Sequence, residues 1–204
     1  MQDFRLQLEQ YLQREASPVY KYGHQPRLFA LAQKIVARTK PAPAYDEDVV
    51  FAAAWLHDLG VFIGHRPEDA AALQQWNHVT YVCDRAPELL LSFGFPAEKI
   101  DAVLACIREH QPQDSPQSFE ATLLRDADIL EQLGAIGILR TAAKLGSDTR
   151  FHTLSDACNS LRRALDTLPA QIRLDATREL ALPRIQILRE FMLAVEQESG
   201  EHLH

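Results

Sequence analysis

Apolar residues recur at intervals of three and four along most of this chain, which is the spacing of a helix with one buried face. In the segment 3–15, for example, Phe4, Leu8, Tyr11 and Leu12 alternate with charged residues. The same spacing and its turn signals predict further helices. They start near Pro26, run from Asp46 to the pair His57-Asp58, open briefly at Pro67, run from His78 to Gly94 and from Pro96 through His110, form one or two helices over 119–144, and close the chain near 155–168 and 175–198. No window alternates apolar and polar residues between turn signals, so the pattern predicts an all-α, compact helical bundle.

The bundle is predicted to be a single domain over residues 1–204. Its core would span about residues 20–145, with the C-terminal helices at 150–199 packing on it. Pro87 predicts a kink or a break in its helix, because proline lacks the N–H that the helical ladder needs.

Composition narrows the class of protein. Hydrophobic residues make up 47% and charged residues 24%, as in ordinary globular chains. The net charge of −7 argues against broad electrostatic binding to nucleic acid or to an anionic membrane, so we expect neither as a partner.

No signal peptide is visible and no stretch approaches the ~20 apolar residues of a membrane span. Cys83, Cys106 and Cys158 are odd in number and far apart, which predicts reduced thiols in a cytoplasmic protein.

The run Ala-Ala-Ala-Trp-Leu-His-Asp-Leu-Gly at residues 52–60 places two metal-binding side chains at a helix end. His57 shares the buried stripe of Val50 and Ala53, Asp58 lies one residue round from it, and Gly60 follows as a helix-stopping residue. An imidazole and a carboxylate side by side can share one divalent cation. The alternative is a core histidine bonded to a backbone carbonyl, with Asp58 as a solvated helix-end residue.

Other polar residues at helix ends or on apolar helical faces extend this set. His110, for example, continues the stripe of Ile100, Val103 and Ile107. The candidate metal ligands are His24, His57, Asp58, His78, His110 and Asp128. A set of histidines and carboxylates without cysteine suits Mn, Fe, Co, Ni or Zn, and suits Mg less well, with one or two ions bound.

The order of these residues resembles the HD-domain superfamily of metal-dependent phosphohydrolases: a histidine, then His-Asp-Leu-Gly, further histidines, and a final aspartate in Ala-Asp-Ile-Leu. The resemblance covers roughly residues 20–145, and the segment 126–140 also resembles a small bacterial subgroup of stand-alone proteins. It implies an HD-type fold with His24, His57, Asp58 and Asp128 as core ligands. His78 and His110 match the extra histidines that hold a second ion in two-metal members.

Three assignments stay open at this point. Helical spacing would turn Asp126 inward as readily as Asp128, whereas the family match favours Asp128. Phe62 stands where some members have a catalytic glutamate, and Glu68 and Asp69 are the candidates to replace that acid. His78 and His110 could instead be structural or solvent-facing histidines.

The function that the resemblance implies is hydrolysis of a small phosphoester, a nucleotide or a related phosphorylated metabolite, by metal-activated water. Asp58 would bridge two ions, and Arg27, one turn from His24, would contact the phosphate through its planar guanidinium. Two alternatives are a di-iron oxygenase on the same scaffold and a non-catalytic helical module that senses a metal or ligand. We expect a monomer or a homodimer.

Overall fold

Ten α-helices and three short 3-10 helices form the described part of this computed structural model, which comprises residues 3–41, 43–146, 151–200 and 202–203. Within these ranges, extended backbone pairs only at one isolated bridge, between Ile63 and Arg66, so the all-α prediction is confirmed. The helices are α1 (Phe4–Glu15), α2 (His24–Arg38), α3 (Glu47–Leu56), α4 (Ala70–Gln74), α5 (His78–Ser92), α6 (Ile100–Arg108), α7 (Phe119–Gln132), α8 (Gly134–Ala142), α9 (Leu154–Gln171) and α10 (Asp175–Ser199), with 3-10 helices at Val19–Lys21, Leu59–Val61 and Ala97–Lys99.

The chain divides into two compact units, residues 1–127 and 128–204. In the first unit α3 packs against α1, α2 and α6, and α5 packs against α6. In the second unit α8, α9 and α10 pack against one another. That residues 1–204 form one domain stays a prediction. None of the helices in the described ranges combines the length and apolar character that a membrane span requires.

Helix α3 is the centre of the first unit because it is apolar on every side. All eight residues from Val49 to Leu56 are buried, which fits a helix that contacts three neighbours. Asp46 begins the helix as predicted, and its carboxylate accepts hydrogen bonds from the backbone N–H groups of Asp48 and Val49 at 3.0 and 3.3 Å. His57 directly follows the other end of α3.

The N-terminal end of α3 is tied to α1 by Arg5. Its guanidinium forms ion pairs with Glu47 at 3.0 Å and Asp48 at 2.7 Å, and lies 4.9 Å from the ring centre of Phe51. Ten residues of helix separate Glu47 from His57, about 15 Å by helical rise. Arg5 therefore stabilises the end of α3 that does not carry the histidine.

Two helix predictions involve prolines. The helix predicted near Pro26 begins two residues earlier, at His24, which places the proline within the first turn, where backbone N–H groups have no helical partner in any case. Helix α5 runs through Pro87 without a break, so that part of the prediction was wrong. A proline costs about 3 kcal/mol in a helix, and burial of Val82, Ala86 and Leu90 on either side offsets that cost at roughly 25 cal/mol per Å² of apolar surface.

The helix predicted from Pro96 through His110 is shorter at both ends. Ala97–Lys99 is a 3-10 helix, and α6 ends at Arg108, so His110 follows the helix and does not lie on its face. The segment 119–144 holds two helices, which are separated at Leu133, and the second begins at Gly134. That glycine has a φ of +75° and lies against Arg184, where a Cβ would be 3.0 Å from the arginine's Cβ.

Candidate metal centre

Five of the six predicted metal ligands meet in the first unit, and four different segments deliver them. His24 is the first residue of α2 and His78 is the first residue of α5. His57 follows α3, and Asp58 leads into the 3-10 helix 59–61. His110 lies two residues beyond α6. Their ligand atoms form two groups, which share Asp58.

The first group comprises His24, His57 and Asp58, whose ligand atoms lie within 4.8 Å of one another. The two histidine Nε2 atoms are 3.2 Å apart, and Asp58 Oδ2 is 3.7 Å from His24 Nε2 and 3.6 Å from His57 Nε2. Nitrogens that each lie about 2.1 Å from a common divalent ion are roughly 3.0–3.4 Å from each other. These three residues therefore fit a metal ion.

The second group comprises Asp58, His78 and His110, also within 4.8 Å. His78 Nε2 lies 3.9 Å from Asp58 Oδ1, and the ring centres of His78 and His110 are 5.8 Å apart. Asp58 thus turns Oδ2 toward the first group and Oδ1 toward the second. A carboxylate with one oxygen facing each group is suited to bridging two ions.

Backbone carbonyls fix the rings of two of these histidines. Nδ1 of His57 lies 3.0 Å from the carbonyl oxygen of Ala54, and Nδ1 of His110 lies 2.7 Å from that of Ile107. A carbonyl only accepts, so Nδ1 carries the proton and Nε2 keeps its lone pair in the neutral ring. Metal-binding histidines commonly show this arrangement. The carbonyl contact expected of a core histidine is present at His57, and it leaves the nitrogen that faces Asp58 able to bind a metal.

The electrostatics of the cluster also suit a cation. Burial acts to raise the pKa of Asp58, and the four surrounding imidazoles, His57 foremost, act to lower it. The imidazoles prevail, so the pKa of Asp58 lies far below its ordinary value and the carboxylate is ionised at neutral pH. His24, His57 and His110 are each less than 5% exposed. Imidazole lone pairs that converge on a half-buried carboxylate favour a compensating positive charge.

The remaining predicted residues take different positions. Arg27 is half-buried on α2, one turn from His24. Asp126 is fully buried and pairs with Arg125 at 3.4 Å. Asp128 is half-buried, belongs to the second unit, and accepts a hydrogen bond from Gln132 on its own helix at 3.0 Å. Its role as a ligand stays a prediction.

Phe62, in the place of the catalytic glutamate of some relatives, is fully buried. Glu68 and Asp69, the possible substitutes, are both exposed on the surface. The carboxylate of Asp69 caps α4 by accepting a hydrogen bond from the backbone N–H of Ala72 at 2.8 Å. Asp69 therefore has a structural role at the start of a helix.

The prediction of Gly60 as a helix-stopping residue was wrong, and its actual role is at the site. Gly60 lies inside the 3-10 helix 59–61 and does not have a positive φ. A Cβ on it would be 2.9 Å from the carbonyl oxygen of His78 and 3.0 Å from that residue's Cα and Cβ. The indole N–H of Trp76 donates to the Gly60 carbonyl at 2.8 Å. Glycine is required here because the backbone of His78 lies against it, a contact that no periodicity signals.

Comparison with known proteins places the chain in a family. The HD domain model matches residues 22–133, more than half of the sequence, so the chain belongs to the HD domain family. The resemblance found in the residues is confirmed. A search of the curated proteins finds no match.

Solved structures share the fold over nearly the whole chain. YpgQ from Bacillus subtilis is 24% identical, with a TM-score of 0.70, and the alignment covers 97% of this chain and 96% of that one. A second structure of YpgQ, in complex with ADP, gives 24% identity, a TM-score of 0.69, and coverage of 97% and 95%. An HD-superfamily hydrolase from Bacillus thuringiensis is 20% identical, with a TM-score of 0.65 and coverage of 95% and 94%. At these identities the likeness shows a common fold.

Proposed function

We propose that this protein is a metal-dependent phosphohydrolase that releases phosphate from a small phosphoester. The observation that carries the proposal is Asp58, which lies between two histidine groups and turns one carboxylate oxygen toward each. This arrangement gives two places for divalent cations around one anion, in a chain of the HD domain family.

His24, His57 and Asp58 would hold the first ion, and Asp58, His78 and His110 would hold the second. When bound, divalent ions lower the pKa of water toward neutrality and polarise a phosphoryl oxygen. The nitrogen and oxygen donors suit Mn, Fe, Co, Ni or Zn better than Mg, which prefers oxygen ligands and retained water.

The chain's own residues have three tasks in this reaction. The carbonyls of Ala54 and Ile107 hold the protons of His57 and His110 on Nδ1, so that Nε2 stays a ligand. Asp58 would offer Oδ2 on the side of the first group and Oδ1 on the side of the second. Arg27 would bind the phosphate, since a guanidinium matches two phosphate oxygens at once. The oxygen of water ends on phosphorus, the ester bond breaks, and a proton from water ends on the leaving group.

The substrate we propose is a nucleotide or a related phosphorylated metabolite. YpgQ, which shares the fold, has been crystallised with ADP. A net charge of −7 disfavours a polyanion as large as a nucleic acid. We propose a cytoplasmic monomer or homodimer.

Release of phosphate from a panel of nucleotides and sugar phosphates, with Mn, Co, Ni, Mg or Fe supplied in turn, tests the proposal. We expect turnover with at least one transition metal and none in the Asp58→Ala variant. His152→Ala is the matched control, because His152 is exposed in the second unit. Turnover retained in Asp58→Ala would overturn the proposal. Oxygen consumption by an iron-loaded protein, without phosphate release, would replace it with the oxygenase.

A further inference from the structure

Arg125, on α7 in the first unit, is an arginine that the proposed chemistry does not use. Only 3% of its surface is exposed. Arginine is rarely buried to this extent, because its guanidinium carries five N–H donors that each need an acceptor. The groups that accept hydrogen bonds from the buried Arg125 guanidinium therefore indicate the role of this residue.

The contacts of Arg125 converge on the two residues that follow His110. Its Nε–H is shared between the carbonyl oxygens of Gln111 at 3.2 Å and Pro112 at 3.1 Å, and Nη2 donates to Pro112 as well. Nη1 lies 3.4 Å from a carboxylate oxygen of Asp126. The guanidinium thus donates hydrogen bonds to two consecutive backbone carbonyls of a loop, and the neighbouring carboxylate of Asp126 orients it.

Hydrogen bonds from Arg125 can fix this loop where helical hydrogen bonds do not, because α6 has already ended. The helix stops at Arg108, so the helical hydrogen-bond ladder does not fix the backbone of His110. The ring of His110 bonds to the carbonyl of Ile107 at 2.7 Å. Beyond it, Gln111 is closed into a turn in which the backbone N–H of Asp114 donates to the Gln111 carbonyl at 2.9 Å. The hydrogen bonds from Arg125 therefore connect the segment directly after His110 to helix α7.

We propose that Arg125 is a positioning residue that sets the place of His110 and thereby the affinity of the second metal ion. This inference rests on the proposed two-ion site. Metal–ligand distances tolerate changes of only about 0.2 Å. A loop released from Arg125 would leave His24, His57 and Asp58 in place and would move His110 alone. Loss of Arg125 should therefore lower the affinity for the second ion and leave the affinity for the first unchanged.

The test is metal titration of the full chain by calorimetry, with Mn²⁺ or Zn²⁺ as the probe. Arg125→Lys keeps the charge and loses the planar fork, and Arg125→Met keeps the length and loses the charge. In both variants we expect the first ion to bind as in the wild type and the second to bind about 10- to 100-fold more weakly, the loss typical of residues that support a metal ligand. Excess metal should restore the second ion and turnover in Arg125→Lys.

Arg5→Lys is the matched control, since it weakens ion pairs at the far end of α3 and should leave both ions unchanged. Both ions binding to the Arg125 variants with wild-type affinity would overturn the inference. A wild-type chain that binds only one ion would instead refute the two-ion site itself.

A measurement on the wild type covers the case in which neither variant folds. In protein with ¹⁵N-labelled arginine, the Nε–H of Arg125 can be assigned by its proximity to Gln111 and Pro112. Its exchange with water should slow when the second equivalent of Zn²⁺ binds, and an unchanged rate would overturn the inference.

Discussion

Gly60 is the position at which a single methyl group should disturb one of the two proposed metal sites and leave the other unchanged. In Gly60→Ala the new Cβ would lie 2.9 Å from the carbonyl oxygen of His78 and 3.0 Å from its Cα and Cβ. Ordinary carbon–oxygen contacts begin at about 3.3 Å and carbon–carbon contacts at about 3.5 Å. The start of α5 must therefore retreat by roughly 0.5 Å, since backbone atoms cannot rotate away as the end of a side chain can.

That retreat exceeds the ~0.2 Å that metal–ligand distances tolerate. Because His78 belongs to the second group only, we expect the second ion to bind about 10- to 100-fold more weakly while the first is unaffected. Overpacking should also lower the free energy of unfolding by about 1–3 kcal/mol. Calorimetric titration with Mn²⁺, together with urea unfolding of the metal-free chain, measures both effects.

Gly94→Ala separates displacement of His78 from general destabilisation. Gly94 has a φ of +78°, and a Cβ there would have no atom within 4 Å, so alanine would be strained without pushing on a neighbour. That strain costs about 1–2 kcal/mol. Gly94 also follows α5 at the end opposite His78. We expect lower stability and two unchanged ions. Wild-type affinity for both ions in Gly60→Ala would show that the close approach of Gly60 does not position His78.

Three further predictions concern the first unit and its boundary. Cys106 is buried and its pKa is raised to about 12, chiefly by burial, so iodoacetamide at pH 8 should leave it unlabelled until the chain is unfolded; rapid labelling of the folded chain would contradict its burial. Phe62→Ala should cost about 3–5 kcal/mol in urea unfolding, because the ring is fully buried, and a loss below about 1 kcal/mol would show that the ring is not a core element. We expect Asp128→Asn to be inactive and metal-poor, and Asp126→Asn to keep metal with reduced activity; metal titration giving the opposite pattern would make Asp126 the ligand.

The parts of the fold that the sequence predicts well are those set by local chemistry. Asp46 caps α3 through its own carboxylate, and the apolar run 49–56 is buried as its pattern indicates. Asn77 likewise caps α5 and so places His78 at the start of a helix. In each case the residues that decide the structure are within one helical turn of each other, so their spacing along the chain is sufficient.

The parts that the sequence does not predict depend on contacts between distant segments. The role of Gly60 is set by the backbone of His78, eighteen positions later in the chain. The stripe of Ile100, Val103 and Ile107 continues to His110 in the sequence, but the chain leaves the helix at Arg108 and Arg125 binds the loop that follows. Periodicity reports which face of a helix is apolar, and it does not report where tertiary contacts end the helix.

Electron paramagnetic resonance of the Mn²⁺-loaded chain reports directly on whether two metal ions share Asp58. At saturation we expect two ions per chain, with the coupled spectrum of two Mn²⁺ ions joined by a carboxylate. His78→Ala should convert this to the six-line signal of a single isolated ion, and Asp58→Ala should remove bound Mn²⁺ altogether. One ion per chain in the wild type, or two uncoupled Mn²⁺ signals, would show that Asp58 does not join two ions.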